Sequence, residues 1–245
     1  MPGETEPQKE PWLIIERLSF AYPNRRLFDS LDLSVSSDLQ IVGILGPSGV
    51  GKTSLLNLIA GFETASQGSI RLHGEVVTKP SATRPVVFQD HNLFPWKSVA
   101  KNIELGPRAL GIAVAERRNQ VKGLLEAMGL EQCAGQYPRQ LSGGMQQRVG
   151  LARAMAVAPR CVLMDEPFSA LDEVTRKSVR SYFKRTLVAN NTKAVIITHD
   201  ASEAMELCDY LIVVTGFDKV TNVEASNIDL KSLRRLLAGS GKTAT

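Results

Sequence analysis

Residues 40–53, Gln40-Ile-Val-Gly-Ile-Leu-Gly46-Pro-Ser-Gly-Val-Gly-Lys52-Thr53, decide the fold class of this chain. The stretch opens with a short apolar run typical of a buried strand, and residues 52–60 have the composition of a helix that Gly61 would end. The loop between them matches G-x-x-x-x-G-K-[ST], in which glycines allow unusual dihedrals and backbone amides face an anion. Strand, loop and helix in this order predict a phosphate-binding loop in an α/β protein.

The residues expected to hold the phosphates of a nucleotide are consecutive. Lys52 would place a point charge beside the β and γ phosphates, and the Thr53 hydroxyl would bind Mg²⁺. The complete set expected at the nucleotide is Gly46, Pro47, Ser48, Gly49, Val50, Gly51, Lys52, Thr53 and Ser54. A second Gly-Lys-Thr, at residues 241–243, has Leu236 where the pattern needs glycine, so we do not expect it to bind a nucleotide.

Bulk composition is that of an ordinary globular protein. The 245 residues are 43% hydrophobic and 22% charged. The net charge of +4 could suit an anionic membrane surface or a nucleic acid, but so small an excess is usually a solvated surface, and it decides nothing about function. We expect no nucleic-acid partner. The three cysteines are far apart, which fits buried thiols in a reducing cytosol. No run approaches the ~20 apolar residues of a membrane span, and the polar start is unlike a signal peptide.

Short β-branched runs alternate with helical stretches, which predicts a parallel or mixed sheet with crossover helices. Strands are predicted at 12–22, 31–35, 40–45, 86–88, 161–164, 194–197 and 211–214, and helices at 52–60, 98–105, 114–128, 144–158 and 229–237. The long stretch without strands predicts a helical insertion. The expected organisation is a disordered tail at 1–11, one domain at 12–240 with a core at about 12–90 and 159–228 and a helical part at about 91–158, and a flexible tail at 239–245.

Two carboxylates follow the apolar strand Cys161-Val-Leu-Met, namely Asp165 and Glu166. At the carboxyl end of a buried strand Asp165 could hold Mg²⁺, and Glu166 could orient or deprotonate an attacking water. The alternative is that both acids simply end a strand at the solvent. With the phosphate loop alone the two interpretations are about even, and the next motif favours the first.

That motif is Leu141-Ser142-Gly143-Gly144-Met145-Gln146-Gln147-Arg148, at the start of a predicted helix. Ser142 can cap the helix, and the two glycines leave amides bare at its N-terminus, which makes a second anion site. The stretch resembles the signature motif of ATP-binding cassette (ABC) proteins, usually Leu-Ser-Gly-Gly-Gln. Met145 replaces the Gln, and we take this variant as benign.

Further motifs of that family follow in family order, and the resemblance covers about residues 12–215. Gln89 resembles the Q-loop glutamine, Asp172 ends a stretch similar to the D-loop, His199 resembles the switch histidine, and Tyr22 resembles the aromatic that stacks on adenine. The resemblance implies a P-loop NTPase (RecA-like) core with a mixed sheet, an antiparallel β part at the N-terminus and a helical insertion.

The resemblance also implies a mechanism that needs ATP and Mg²⁺. Two cassettes would face each other head to tail, so that the signature of one covers the ATP held by the phosphate loop of the other. The catalytic set would be Glu166, His199 and Gln89, and the metal set Thr53, Gln89 and Asp165. The second subunit would add Ser142, Gly143, Gly144 and Asp172. That subunit could be a second copy or a paralogue.

Residues 88–103, with the run Leu-Phe-Pro-Trp, and residues 164–172 are similar to the nitrate, sulfonate and taurine group of bacterial importers. The similarity implies permease subunits, indirectly a solute-binding protein, and a peripheral position on the cytoplasmic face of the inner membrane. Phe94 and Trp96 would be exposed aromatics beside the permease; the alternative is that they pack inside the helical part. Tyr210, where the group usually has Arg, and the stretch after Val214 depart from the group's pattern.

Two other functions stay open for a single cassette of this size. One is a soluble cassette that acts on nucleic acid or ribosomes, although the long coiled-coil insert or second cassette of such proteins is absent from this sequence. The other is a scaffold for iron–sulfur assembly. Co-purification with a membrane protein would separate the importer from both.

Overall fold

The structure, a computed structural model, describes residues 10–238, which form two compact units. One unit contains the residues up to Pro80 and those from His199 onward; the other is Ser81–Thr198. The predicted division into core and helical parts stays a prediction. The predicted tail at 239–245 and most of the one at 1–11 lie outside the described residues. Along the described chain, no helix is long and apolar enough to cross a membrane.

The described part of the chain contains ten strands and seven α-helices. The strands are β1 (Leu13–Tyr22), β2 (Arg25–Val35), β3 (Ile41–Leu45), β4 (Gln67–Leu72), β5 (Glu75–Val76), β6 (Val86–Val87), β7 (Cys161–Asp165), β8 (Lys193–Ile197), β9 (Tyr210–Gly216) and β10 (Lys219–Glu224). The helices are α1 (Lys52–Ala60), α2 (Val99–Ala109), α3 (Val114–Met128), α4 (Gly143–Met155), α5 (Glu173–Ala189), α6 (Ala201–Leu207) and α7 (Leu230–Ala238).

The first unit begins with an antiparallel sheet in the order β2-β1-β4-β5. Leu13, Ile15, Leu18 and Phe20 are buried along β1, and irregularities in its pairing with β2 keep apolar residues on the covered face. The predicted antiparallel part at the N-terminus is therefore confirmed, although β2 starts six residues earlier than the predicted strand at 31–35.

The same unit contains the strand that carries the phosphate loop. β3 pairs in parallel with β9, and β9 pairs antiparallel with β10. All five residues of β3 are buried, as a strand covered on both faces requires. At the start of β3, one carboxylate oxygen of Asp209 accepts hydrogen bonds from the amides of Gln40 (2.8 Å) and Ile41 (2.9 Å). Asp209 therefore fixes the end of β3 that is remote from the loop.

The second unit combines a parallel arrangement of β6, β7 and β8 with the helices α2 to α5. Helix α2 runs through Pro107, beyond its predicted end at 105. Pro107 has no N–H to donate to the carbonyl of Ile103, and the helix ends two residues later, at Ala109. Helix α4 ends at Met155, before its predicted end at 158, because Ala158 has a positive φ of 44° and Pro159 follows.

Candidate nucleotide-binding site

The phosphate loop connects β3 to α1 as predicted, and its glycines have backbone angles that only glycine adopts easily. The φ values are 151° at Gly46, 77° at Gly49 and 113° at Gly51. A Cβ on Gly46 would lie 2.0 Å from the carbonyl oxygen of Val214 in β9. The loop therefore begins in direct contact with the neighbouring strand, and the position of Gly46 is set by that strand.

The N-terminus of α1 has a glycine at its cap position. Gly51 has no side chain, so the cap residue leaves the space in front of this nine-residue helix open to a ligand and makes no side-chain hydrogen bond to it. Lys52 is buried, and its Nζ donates to the carbonyl oxygens of Gly46 (2.8 Å) and Pro47 (2.7 Å). The lysine charge and the helix amides thus lie at the same loop, which is the chemistry that binds phosphate.

Tyr22 lies beside this loop, at the end of β1. Its hydroxyl is 3.4 Å from the Ser54 Oγ, its ring packs edge-on against Phe20, and it is 40% exposed. Together with the loop it borders a cavity of about 150 Å³, lined by Tyr22, Arg25, Leu27, Gly49, Gly51, Lys52, Thr53 and Ser54. Sequence reasoning missed Arg25, a second cation at the cavity, because no motif marks the start of β2.

The second unit holds the two carboxylates. Asp165 is the last residue of β7 and is buried, and Glu166 follows in a left-handed conformation with φ 49°. Three hydrogen bonds of 3.0 Å hold the Glu166 backbone. Its N–H donates to the carbonyl oxygen of Ile197, and its own carbonyl oxygen accepts from Gln147 Nε2 and Ser169 Oγ. A strained non-glycine residue held this firmly is typical of functional sites.

The signature stretch begins α4, as predicted. The Ser142 hydroxyl accepts from the amide of Met145 (3.3 Å), which confirms Ser142 as the N-cap. Gly144 allows a close approach, since a Cβ there would lie 3.0 Å from the carbonyl oxygen of Ala170. Gln146 donates to the carbonyl oxygens of Pro138 (3.0 Å) and Leu141 (3.4 Å), so it fixes the turn before the helix.

Gln147 connects the signature helix to the carboxylate segment, and sequence reasoning missed it. It is 1% exposed, donates to the Glu166 carbonyl and accepts from the Ala170 amide at 3.0 Å. Because the partners are 19 and 23 residues away, no local pattern could have assigned this role. The structure thus joins α4, Glu166 and the stretch before Asp172 in one hydrogen-bonded group.

Three remaining predicted site residues have distinct surroundings. Asp172 caps α5 by accepting from the Thr175 amide (3.0 Å), and this hydrogen bond lowers the pKa of its carboxyl. Gln89 is exposed after β6, and His199 is exposed two residues after β8. The predicted site residues are divided between the two units. The first unit contains Tyr22, the phosphate loop and His199. The second contains Gln89, Ser142, Gly143, Gly144, Asp165, Glu166 and Asp172.

The aromatic pair lies in the segment between β6 and α2. Trp96 is 70% exposed, as expected for a residue with an external partner, whereas Phe94 is partly covered by the guanidinium of Arg153. The two rings contact each other edge to face, with centroids 5.6 Å apart. The alternative, that both rings pack inside the helical part, is wrong for Trp96.

Comparison with known proteins agrees with these motifs. The model of the ABC transporter family matches residues 28–169. The taurine import ATP-binding protein TauB of Chromobacterium violaceum is 41% identical over 205 residues, which cover 83% of this chain and 78% of TauB. TauB of Escherichia coli K12 is 38% identical over 228 residues, which cover 93% of this chain and 88% of TauB. The chain belongs to the ABC transporter family.

Solved structures agree on the fold. The ATP-binding cassette MJ0796, in a dimeric post-hydrolysis state bound to ADP and Pi, superposes with a TM-score of 0.75 at 26% identity, covering 87% of this chain and 98% of MJ0796. CbiO1 of Clostridium perfringens, part of the transporter complex CbiONQ, superposes with a TM-score of 0.78 at 22% identity, covering 89% of this chain and 90% of CbiO1. The expected fold and the expected class of protein, an ABC ATPase, are confirmed.

Proposed function

We propose that this chain is the ATP-hydrolysing subunit of a bacterial importer for a small anion, with taurine or a related sulfonate as the first candidate and nitrate as the next. The observation that carries this proposal is the identity of 38–41% with taurine import ATP-binding proteins over most of both chains. The Leu-Phe-Pro-Trp segment with its exposed Trp96 supports it, because large apolar residues at a surface usually contact a partner.

The site residues would act mainly by positioning charge. Lys52, the loop amides and the start of α1 would bind the β and γ phosphates, and Tyr22 would stack on the base. Glu166 would orient or deprotonate the attacking water, and the hydrogen bonds on its backbone would hold the carboxylate in place. Gln89 and His199 would complete the set at the γ-phosphate.

Mg²⁺ fits the oxygen donors of this chain. Thr53 supplies a hydroxyl oxygen and Asp165 a carboxylate oxygen, the kinds of donor that Mg²⁺ takes in proteins. Mg²⁺ usually binds one or two protein oxygens and completes its shell with phosphates and water. Thr53, Asp165 and Gln89 would be the protein ligands, and the ion would neutralise charge on the phosphates.

A second cassette would complete each site. The nucleotide of the partner cassette would face Ser142, Gly143, Gly144 and Asp172. The thirteen-residue helix α4 would present the backbone amides of its first turn there. Permease subunits would hold the pair at the cytoplasmic face of the inner membrane, and a solute-binding protein would deliver the anion. The dimeric state of MJ0796 supports this arrangement.

The decisive experiment measures uptake in cells that lack the gene. Cells carrying the wild-type gene should take up radiolabelled taurine, an alkanesulfonate or nitrate, and cells carrying Lys52→Ala should not. If purified wild-type protein hydrolyses ATP but restores uptake of none of these anions, the importer assignment is wrong. Recovery of the chain with nucleic acid and without any membrane protein would favour the soluble alternative instead.

A further inference from the structure

Helix α4 lies directly against the segment that carries the aromatic pair. A Cβ built on Gly150 would meet the carbonyl oxygen of His91 at 3.8 Å and the Val87 side chain at 3.9 Å. His91 and Asn92 both have positive φ values, 58° and 43°, so the chain makes a tight turn here. The turn presents its carbonyl groups towards the last turn of α4, where Arg153 lies.

Arg153 binds this turn through both terminal nitrogens. Nη1 donates to the Asn92 carbonyl oxygen (2.8 Å), and Nη2 donates to the His91 carbonyl oxygen (3.0 Å). The guanidinium carbon lies 5.7 Å from the centre of the Phe94 ring, within the range of a cation–π contact. The guanidinium of Arg153 is partly buried, and this burial lowers its pKa. A partly buried charge with these partners holds the turn against α4.

Asn102 of α2 holds the other end of the segment. Its side chain is fully buried; Oδ1 accepts from the Phe94 amide (2.9 Å), and Nδ2 is shared among the carbonyl oxygens of Phe94, Lys97 and Ser98 at 3.0–3.2 Å. The segment is thus bound to α4 at His91 and Asn92 and to α2 from Phe94 onward. A movement of α4 relative to α2 must therefore change the backbone between Asn92 and Phe94, and the Phe94 ring contacts the ring of Trp96.

We propose that Arg153 is a positioning residue that transmits the position of the signature helix to the Phe94–Trp96 pair. Helix α4 has thirteen residues, so it extends about 20 Å from the signature glycines to Arg153. Its first turn would contact the nucleotide of the partner cassette, and its last turn holds Phe94, which contacts the exposed Trp96. This role presupposes the proposed importer function, in which nucleotide binding must reach the surface that meets the permease.

Trp96 provides a built-in reporter, because the chain has only two tryptophans. Trp12, the other one, is 2% exposed and its Nε1 has no hydrogen-bond partner among residues 10–238, so Trp12→Phe removes an unsatisfied donor. In a Trp12→Phe, Glu166→Gln parent, ATP with Mg²⁺ should bind without turnover. We expect nucleotide binding to change the emission and anisotropy of Trp96 in this parent.

Arg153→Lys in the same parent should lose that ATP-dependent change, because an ammonium cannot reproduce the two-pronged contact of the guanidinium. Phe94→Leu, which leaves the backbone contacts intact but removes the ring, should lose it as well. Arg148→Lys is the matched control. Arg148 also lies on α4 and donates to backbone carbonyls, but those belong to Met128 and Gly129 at the C-terminal end of α3. This variant should keep the Trp96 response.

The outcomes separate this inference from the proposed function. Binding of a fluorescent ATP analogue is measured first, and a parent that fails to bind it contradicts the proposed function. If the parent binds ATP and Trp96 does not respond, the role of Arg153 is refuted while the nucleotide site stands. The role is equally refuted if Arg153→Lys and Phe94→Leu both retain the full response, or if Arg148→Lys loses as much as they do.

Discussion

Replacing Gly46 by alanine tests how tightly the phosphate loop is built into the first unit. The new Cβ would lie 2.0 Å from the Val214 carbonyl oxygen, whereas ordinary contact begins at 3.4 Å. That oxygen belongs to the backbone of β9, which pairs with β3 on one side and β10 on the other, so it cannot move alone. The φ of 151° is also unfavourable for alanine.

Each of these two effects has a known magnitude. A residue held in a sparsely populated backbone region costs about 1–3 kcal/mol. Overpacking of a well-packed region adds about 1–3 kcal/mol. Gly46→Ala should therefore lower the free energy of unfolding by about 2–6 kcal/mol, which falls among the largest effects of single substitutions.

Gly49→Ala in the same loop is the control. Gly49 also has a positive φ, 77°, but among residues 10–238 its added Cβ would meet only one atom within 4 Å, a nitrogen of Arg25 at 3.8 Å. Only the cost of the left-handed backbone, about 1–2 kcal/mol, therefore applies. Urea unfolding followed by far-UV circular dichroism should place the Gly46→Ala midpoint clearly below that of Gly49→Ala. Equal midpoints would show that β9 yields easily and that the proposed close contact does not constrain the loop.

Three further predictions concern catalysis and thiol chemistry. Glu166→Gln should bind ATP, lose steady-state hydrolysis and accumulate as a dimer in size-exclusion chromatography with ATP; unchanged hydrolysis would remove Glu166 from its catalytic role. Gln147→Glu, which can no longer donate to the Glu166 carbonyl, should lower kcat about tenfold or more with little change in KM, because a loss of about 1.4 kcal/mol corresponds to tenfold; a change in KM alone would contradict a positioning role. Cys161 should resist alkylation at pH 8 in the native protein and react in urea, because burial raises the pKa of its thiol to about 12 and the reactive thiolate forms only as the pH nears that value. The partly exposed Cys133 should react before it. Mass spectrometry locates the modified cysteines, and early modification of Cys161 would contradict its burial.

Local chemistry made parts of this molecule predictable. The helix α1 was predicted at residues 52–60 and is observed at Lys52–Ala60, because Gly51 and Gly61 bound it on both sides and both have left-handed conformations. The strands β3 and β7 were predicted within one residue of their observed bounds, since buried runs of five residues have few alternatives. Ser142 as an N-cap followed from the same kind of local pattern.

Elements that depend on a distant partner were not predicted. The strands β4 and β10 are short and mostly polar, and they form because β1 and β9 provide hydrogen-bonding partners. The sequence analysis also did not predict helices α5 and α6. In α5 many charged residues separate the few apolar ones, so the apolar periodicity of a helix is weak. Arg153 contacts carbonyls 61 and 62 residues away, which no spacing within the sequence indicates.

The hydrogen bonds of Asp209 set the register of the strand that carries the phosphate loop. Its carboxylate accepts from the amides of Gln40 and Ile41 at the start of β3, and in this register Val42 pairs with Tyr210 and Leu45 with Val213. A slip of one residue would move the loop by about 3.3 Å along the strand and turn every buried side chain to the opposite face. At the other end, the tight fit of Gly46 allows no such displacement. The loop at residues 46–53 is thus placed by a carboxylate at the opposite end of the strand that precedes it.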